Sequence, residues 1–172
     1  MKRFLKITQY IFFLFLFIFP SNSEEKKENF NEHSLNFYTG MFDFSDDGQK
    51  AALFGFQHEI ENLVRDSFLG TISPVTGFLI TENNAAYGYT GIQAQYNIGK
   101  LDFTPSFTPG VYSQGDGKDL GHVLEFKTEL QASYTISESS SLGVSYNHIS
   151  NASIGDKNPG ANSYMFNLLK NF

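Results

Sequence analysis

From Leu142 to Asn162 the chain reads L-G-V-S-Y-N-H-I-S-N-A-S-I-G-D-K-N-P-G-A-N. Its reactive side chains are a histidine and a serine two positions apart, His148 and Ser150. A serine hydroxyl becomes a competent nucleophile when a neighbouring imidazole takes its proton, so the spacing between the two decides whether such chemistry is available. The residues leading up to them alternate with period two, which predicts a half-buried strand. Leu142, Val144, Tyr146, His148 and Ser150 share one face, and Gly143, Ser145, Asn147 and Ile149 the other. Two residues apart in a strand, Cα atoms are separated by roughly 6.6 Å, a gap that inclined side chains can close to a hydrogen bond. Asn151, Ala152 and a turn-forming Asn158-Pro159-Gly160 follow before the chain resumes as a strand.

Taken together, H-x-S, the S-N-A of Ser150-Asn151-Ala152, the N-P-G turn and the following strand resemble the lipid A 3-O-deacylase family of outer-membrane hydrolases. The likeness is specific near the C-terminal end and architectural over the rest. It implies a small barrel with a Ser-His-Glu triad on its outer wall. By position it implies His148 as base, Ser150 as nucleophile, and an oxyanion region at Asn151, Ala152 and Ser153. The family's acid falls on Asn162, which is a departure. An amide can orient an imidazole but does not stabilise an imidazolium as a carboxylate does. Asp156, in the turn between Ser150 and Asn162, is the nearest carboxylate in sequence and reads first as a plain loop residue.

The positioning elements follow from composition and pattern. The 172 residues include no Cys, no Trp, 19 Phe and 9 Tyr, with a formal net charge of −6. Without disulfides, an exported fold must hold by packing and hydrogen bonds alone. An acidic balance argues against nucleic acid as a partner. Charged residues make up 17%, low against an average of about 25%. A mean hydropathy of −0.25 excludes a helical polytopic membrane protein, but not a barrel whose strands are only half apolar.

Lys2, Arg3 and Lys6 precede an apolar run from Ile11 to Phe19, then Pro20 and the small Ser21-Asn22-Ser23. This pattern predicts a secretory signal peptide over residues 1–23, followed by a polar lead-in at 24–32. From residue 33 to 172 the chain predicts about eight strands, at 33–44, 49–60, 69–81, 86–98, 101–112, 121–136, 140–151 and 161–172. In the sixth, Leu124, Phe126, Thr128, Leu130, Ala132, Tyr134 and Ile136 oppose Glu125, Lys127, Glu129, Gln131 and Ser133. Pro105 and Pro109 predict a bulge or bend in the fifth. The same alternation fits a soluble sandwich with its apolar face inward, or a membrane barrel with that face toward lipid. The leader, the aromatic load and the terminal Phe172, which resembles a barrel-assembly signal, favour the second.

The expected fold is therefore all-β: a single antiparallel up-and-down transmembrane β-barrel of about eight strands. On that parity Glu125 and Glu129 face the lumen, away from His148, whereas His148 and Ser150 face lipid, where polar side chains are costly and tend to be functional. His58 reads as an interfacial histidine, and His33 and His122 as solvated ones. No His, Asp and Glu set has metal-ligand spacing, so no metal and no cofactor are expected. The resemblance implies an ester hydrolase that removes a 3-O-linked acyl chain from lipid A in the bacterial outer membrane. Its implied partners are lipid A or lipopolysaccharide, the membrane, the barrel-assembly machinery and a second copy in a homodimer. Two rivals stand beside it. One is a non-catalytic barrel that keeps the motif as a structural turn, and the other a soluble lipid-binding barrel of the periplasm.

Overall fold

Alternating segments joined by Gly-, Asn- and Asp-bearing turns form antiparallel strands that pair with their sequence neighbours. The computed structural model describes residues 34–60 and 63–172; the expected signal peptide, the lead-in and His33 lie outside the described residues. The strands are β1 (Ser34–Phe42), β2 (Ala51–Glu59), β3 (Arg65–Ser67), β4 (Gly70–Thr81), β5 (Ala86–Ile98), β6 (Leu101–Ser113), β7 (Leu124–Ser137), β8 (Ser140–Ser150) and β9 (Ala161–Asn171). All eight expected strands form, their ends differing by at most three residues. The short β3 is additional: it folds back on the start of β4, with Arg65 opposite Ile72 and Ser67 opposite Gly70.

β1 pairs with both β2 and β9, and β2 pairs with β4, so the meander closes on itself with eight strands in its wall. Closure removes the free edges that an open sheet would expose. Pro105 and Pro109 do not insert a bulge. Pairing of β6 with β5 runs from Leu101↔Ile98 to Ser113↔Ala86 in one register, with gaps opposite the prolines. The β7 ladder is continuous past both, so the donors they lack fall on the β5 side.

Burial is inverted relative to a soluble protein. Phe54, Ile92, Leu130, Val144 and Phe166 lie outward and are each more than half exposed, whereas Asn36, Lys127, Gln131, Asn147 and Asn167 are buried. This is the arrangement of a transmembrane barrel, apolar toward lipid and polar toward the lumen. It removes the soluble periplasmic reading, which needs the opposite parity.

An eight-stranded barrel leaves a lumen just wide enough for side chains to fill. Lys127 pairs with Glu129 at 2.6 Å and sits 4.1 Å from the centre of the Tyr89 ring. The Tyr38 and Tyr89 hydroxyls are 3.0 Å apart, and the Asn36 amide donates to Gln131 and Asn167. Apolar packing gathers at one end, where Phe42, Leu53, Leu79, Tyr87, Tyr112, Leu120, Ile149 and Met165 are buried together. That end carries the connections 43–50, 114–123 and 151–160 and the short turn 82–85; the tight turns at 99–100 and 138–139, with the link from β2 to β4 that holds β3, are at the other. Outer-membrane barrels keep short turns on the periplasmic side and longer loops outside, so the apolar plug lies beneath the outer end.

Candidate active site

β8 carries His148 and Ser150 outward at this loop end, on the face of Val144 and Tyr146. The β8–β9 register sets His148 directly opposite Asn162, and directly opposed side chains on one face are close neighbours. The His148 Nδ1 and Asn162 Oδ1 atoms lie 2.8 Å apart. An amide oxygen only accepts, so Nδ1 carries the proton, and Nε2 presents its lone pair away from Asn162. The Tyr146 hydroxyl donates to the same oxygen at 2.7 Å.

Ser150 is opposite Phe126 and His148 opposite Thr128 across the β7–β8 pair. His148, Ser150 and Ala152 line one open depression with Phe107, Phe126 and Thr128. The Phe107 and Phe126 rings stack there at 6.0 Å between centres, making its floor largely apolar. His148 and Ser150 share this depression without a hydrogen bond between them.

The three expected oxyanion residues separate. Asn151 is fully buried and its amide nitrogen donates to the carbonyls of Leu120 and Lys157, each at 2.8 Å. Its oxygen accepts the Ser153 N–H at 2.9 Å, so the Ser153 amide is engaged and Asn151 knits the loop instead of facing the depression. Ala152 keeps an uncommitted N–H and lies at the rim. Ala152 and Ser153 have φ of 54° and 64°, a left-handed pair of non-glycine residues of the kind that persists only where surroundings enforce it. Here the enforcing contacts are those of Asn151.

Asp156 is exposed and has no contact with His148 or Asn162, in keeping with a loop residue. Glu125 and Glu129 are on the lumen side, as their parity predicts. The carboxylate that does approach the site comes from the other end of the chain. Asp43, just past β1, is buried, and its Oδ1 accepts the Asn162 backbone N–H at 3.3 Å. The Phe44 N–H donates to the Asn162 carbonyl at 2.9 Å, and the Asn162 side-chain nitrogen donates to Ser45 at 3.0 Å. Asp43 and Ser45 were not legible as site residues, because only the β1–β9 closure brings them near. Tyr146 was not singled out either, although its place on the face of His148 was the signal that could have found it.

Charges tie the surrounding loops. Lys118 bonds Asp43 at 2.5 Å and reaches Asp46 at 3.4 Å. Lys157 pairs with Asp119 at 2.6 Å, and that ammonium, with the Gly121 amide, holds the Asp119 carboxyl below its ordinary range.

Comparison with known proteins accords with this architecture. The chain is similar to a solved structure described as the crystal structure of the outer membrane enzyme PagL, at 16% identity and a TM-score of 0.59, over 80% of this chain and 98% of that one. It is also similar to a de novo designed transmembrane β-barrel, at 10% identity and a TM-score of 0.54, over 84% and 98% of the two chains. At such identities the likeness shows the fold. No curated protein sequence matches the chain. The family model for lipid A 3-O-deacylase (PagL), however, matches residues 37–171. That span reaches from β1 to the end of β9, and the chain belongs to the lipid A 3-O-deacylase (PagL) family.

Proposed function

We propose that the protein is an outer-membrane ester hydrolase that removes an acyl chain from lipid A, the 3-O-linked chain by family membership. The observation that carries this reading is the His148–Asn162 hydrogen bond of 2.8 Å, made on the outer wall beside Ser150. With Asn162 Oδ1 accepting from Nδ1, Nε2 is a base on a ring that lines the same apolar depression as Ser150. Residues 1–23 serve as the export signal in this reading.

A lipid in the outer leaflet presents its acyl esters at the depth of the β8 loop end, with the acyl chain against Phe107 and Phe126. Ser150 Oγ attacks the ester carbonyl as its proton passes to His148 Nε2. Negative charge gathers on the carbonyl oxygen, where the Ala152 N–H is the available donor. Collapse breaks the bond between the acyl carbon and the sugar's oxygen, and His148 returns the proton to the leaving alkoxide. Water, deprotonated by His148, then releases the fatty acid from Ser150.

One feature favours the non-catalytic rival: the third position holds an amide, which cannot neutralise an imidazolium. Mass spectrometry of lipid A from cells expressing the chain separates the two. Loss of one acyl chain, absent with Ser150→Ala at equal barrel assembly, is the expected result. Unmodified lipid A in the presence of assembled wild type would overturn the hydrolase reading in favour of the rival.

A further inference from the structure

A carboxylate has two equivalent oxygens, but an asparagine has two different ends, and only one supports the required tautomer. If Asn162 turned its nitrogen toward His148, Nδ1 would have to accept, and Nε2 would carry the proton and cease to be a base. Something must therefore hold the amide the right way round. Tyr146 cannot do so by itself, because a hydroxyl both donates and accepts and so pairs with either end.

We propose that Asp43 and Ser45 are positioning residues that lock the Asn162 amide, and through it the proton on His148 Nδ1. This rests on the Ser-His reading of the site. The Ser45 hydroxyl is 3.3 Å from Asp43 Oδ1. A carboxylate only accepts, so that contact commits the Ser45 proton to Asp43 and leaves Ser45 Oγ as an acceptor. It then takes the Asn162 side-chain N–H at 3.0 Å, which turns Asn162 Oδ1 to His148 at 2.8 Å. Every donor in the chain from His148 to Asp43 points the same way. Lys118, at 2.5 Å from the other carboxylate oxygen, compensates the buried Asp43 charge, as a charge in that position requires. The lock is supplied by the segment after β1, and it serves a site whose other parts lie on β8 and β9.

The test is Ser45→Ala, at an exposed position where the barrel tolerates the change, compared with Ser45→Thr, which keeps a hydroxyl. Two quantities are read: kcat on lipid A in mixed micelles, and the ring ¹⁵N shifts of His148 in the assembled barrel. Ser45→Ala is expected to lower kcat by about tenfold with little change in KM, a fraction of the ~10⁴ loss that follows a fully wrong tautomer. The ¹⁵N shifts are expected to move from the Nδ1–H pattern toward a mixture, and Ser45→Thr to restore both. Placing Asn162→Asp beneath Ser45→Ala removes the need for a lock, so the Ser45 effect is expected to vanish in that background. Wild-type kcat and an unchanged His148 tautomer in Ser45→Ala would overturn the proposal. Activity that survives Ser150→Ala would instead overturn the Ser-His reading, and the ¹⁵N shifts would still decide whether the lock exists.

Discussion

Gly160 lies against the imidazole of His148. A Cβ placed on it would sit 2.8 Å from Cε1 and 3.3 Å from Nε2, and its φ of 65° is in the left-handed region. The last residue of the N-P-G turn is thus both a conformational requirement of the β8–β9 loop and one wall of the histidine's socket. Because the atoms it would meet belong to the far end of a side chain, the ring would move before the backbone did.

Gly160→Ala is accordingly expected to harm activity more than stability. The left-handed backbone costs a non-glycine residue about 1–2 kcal/mol, while a displaced base of this kind loses on the order of 100-fold in rate. Urea titration of the lipid-embedded barrel and initial rates of acyl release measure the two. A large loss of stability with normal turnover of the surviving barrel would show that the ring has room to spare.

Asn162→Asp is expected to raise turnover. The replacement is isosteric, so the 2.8 Å contact to His148 is kept, and it adds the charge that steadies an imidazolium. Replacing acid by amide in a serine protease triad costs ~10⁴ in kcat; the reverse change here should regain part of that, because Asp43 nearby repels a second carboxylate. Acyl release by the variant, abolished again on adding Ser150→Ala, is the measurement. An unchanged or lower rate would mean that imidazolium charge does not limit the reaction.

Leu130 is near the middle of β7, 56% exposed on the outward face. Leu130→Arg should destabilise the barrel by ~2–4 kcal/mol, the cost of a cation near the bilayer midplane. Denaturant titration in lipid vesicles gives the number. A cost near zero would place this band outside the hydrocarbon.

Lys127→Met should cost about 3–5 kcal/mol, because it leaves Glu129 in the lumen without its cation. Adding Glu129→Leu should recover much of that loss, since replacing a whole buried pair by apolar side chains is often near neutral. Tolerance of the single change would mean that lumen water solvates Glu129.

How much of this was legible beforehand differs between fold and site. Period-two alternation is a local property, so the strands at 86–98 and 101–112 and the opposed faces of β7 could be read directly from residue order. His148 and Ser150 could be read the same way, because two residues apart in a strand must share a face. The pairing of His148 with Asn162 could be reached only through the family resemblance, which placed Asn162 at the acid's position; the β8–β9 register is its physical cause.

Other features are set by contacts between distant segments and leave no local trace. Asn151 looks like an oxyanion donor beside Ser150, yet one of its amide hydrogens goes to Leu120 in the loop 114–123 and the other to Lys157 in its own loop. Asp156 is close in sequence but makes no contact with the imidazole, whereas Asp43 is 119 residues from Asn162 and bonded to its backbone. Barrel closure makes that difference: it joins β1 to β9, the first strand to the last, and carries the segment after β1 to the site. Sequence order therefore determined the faces and set His148 and Ser150 on one of them, while closure decided which carboxylate bonds Asn162, the residue opposite His148.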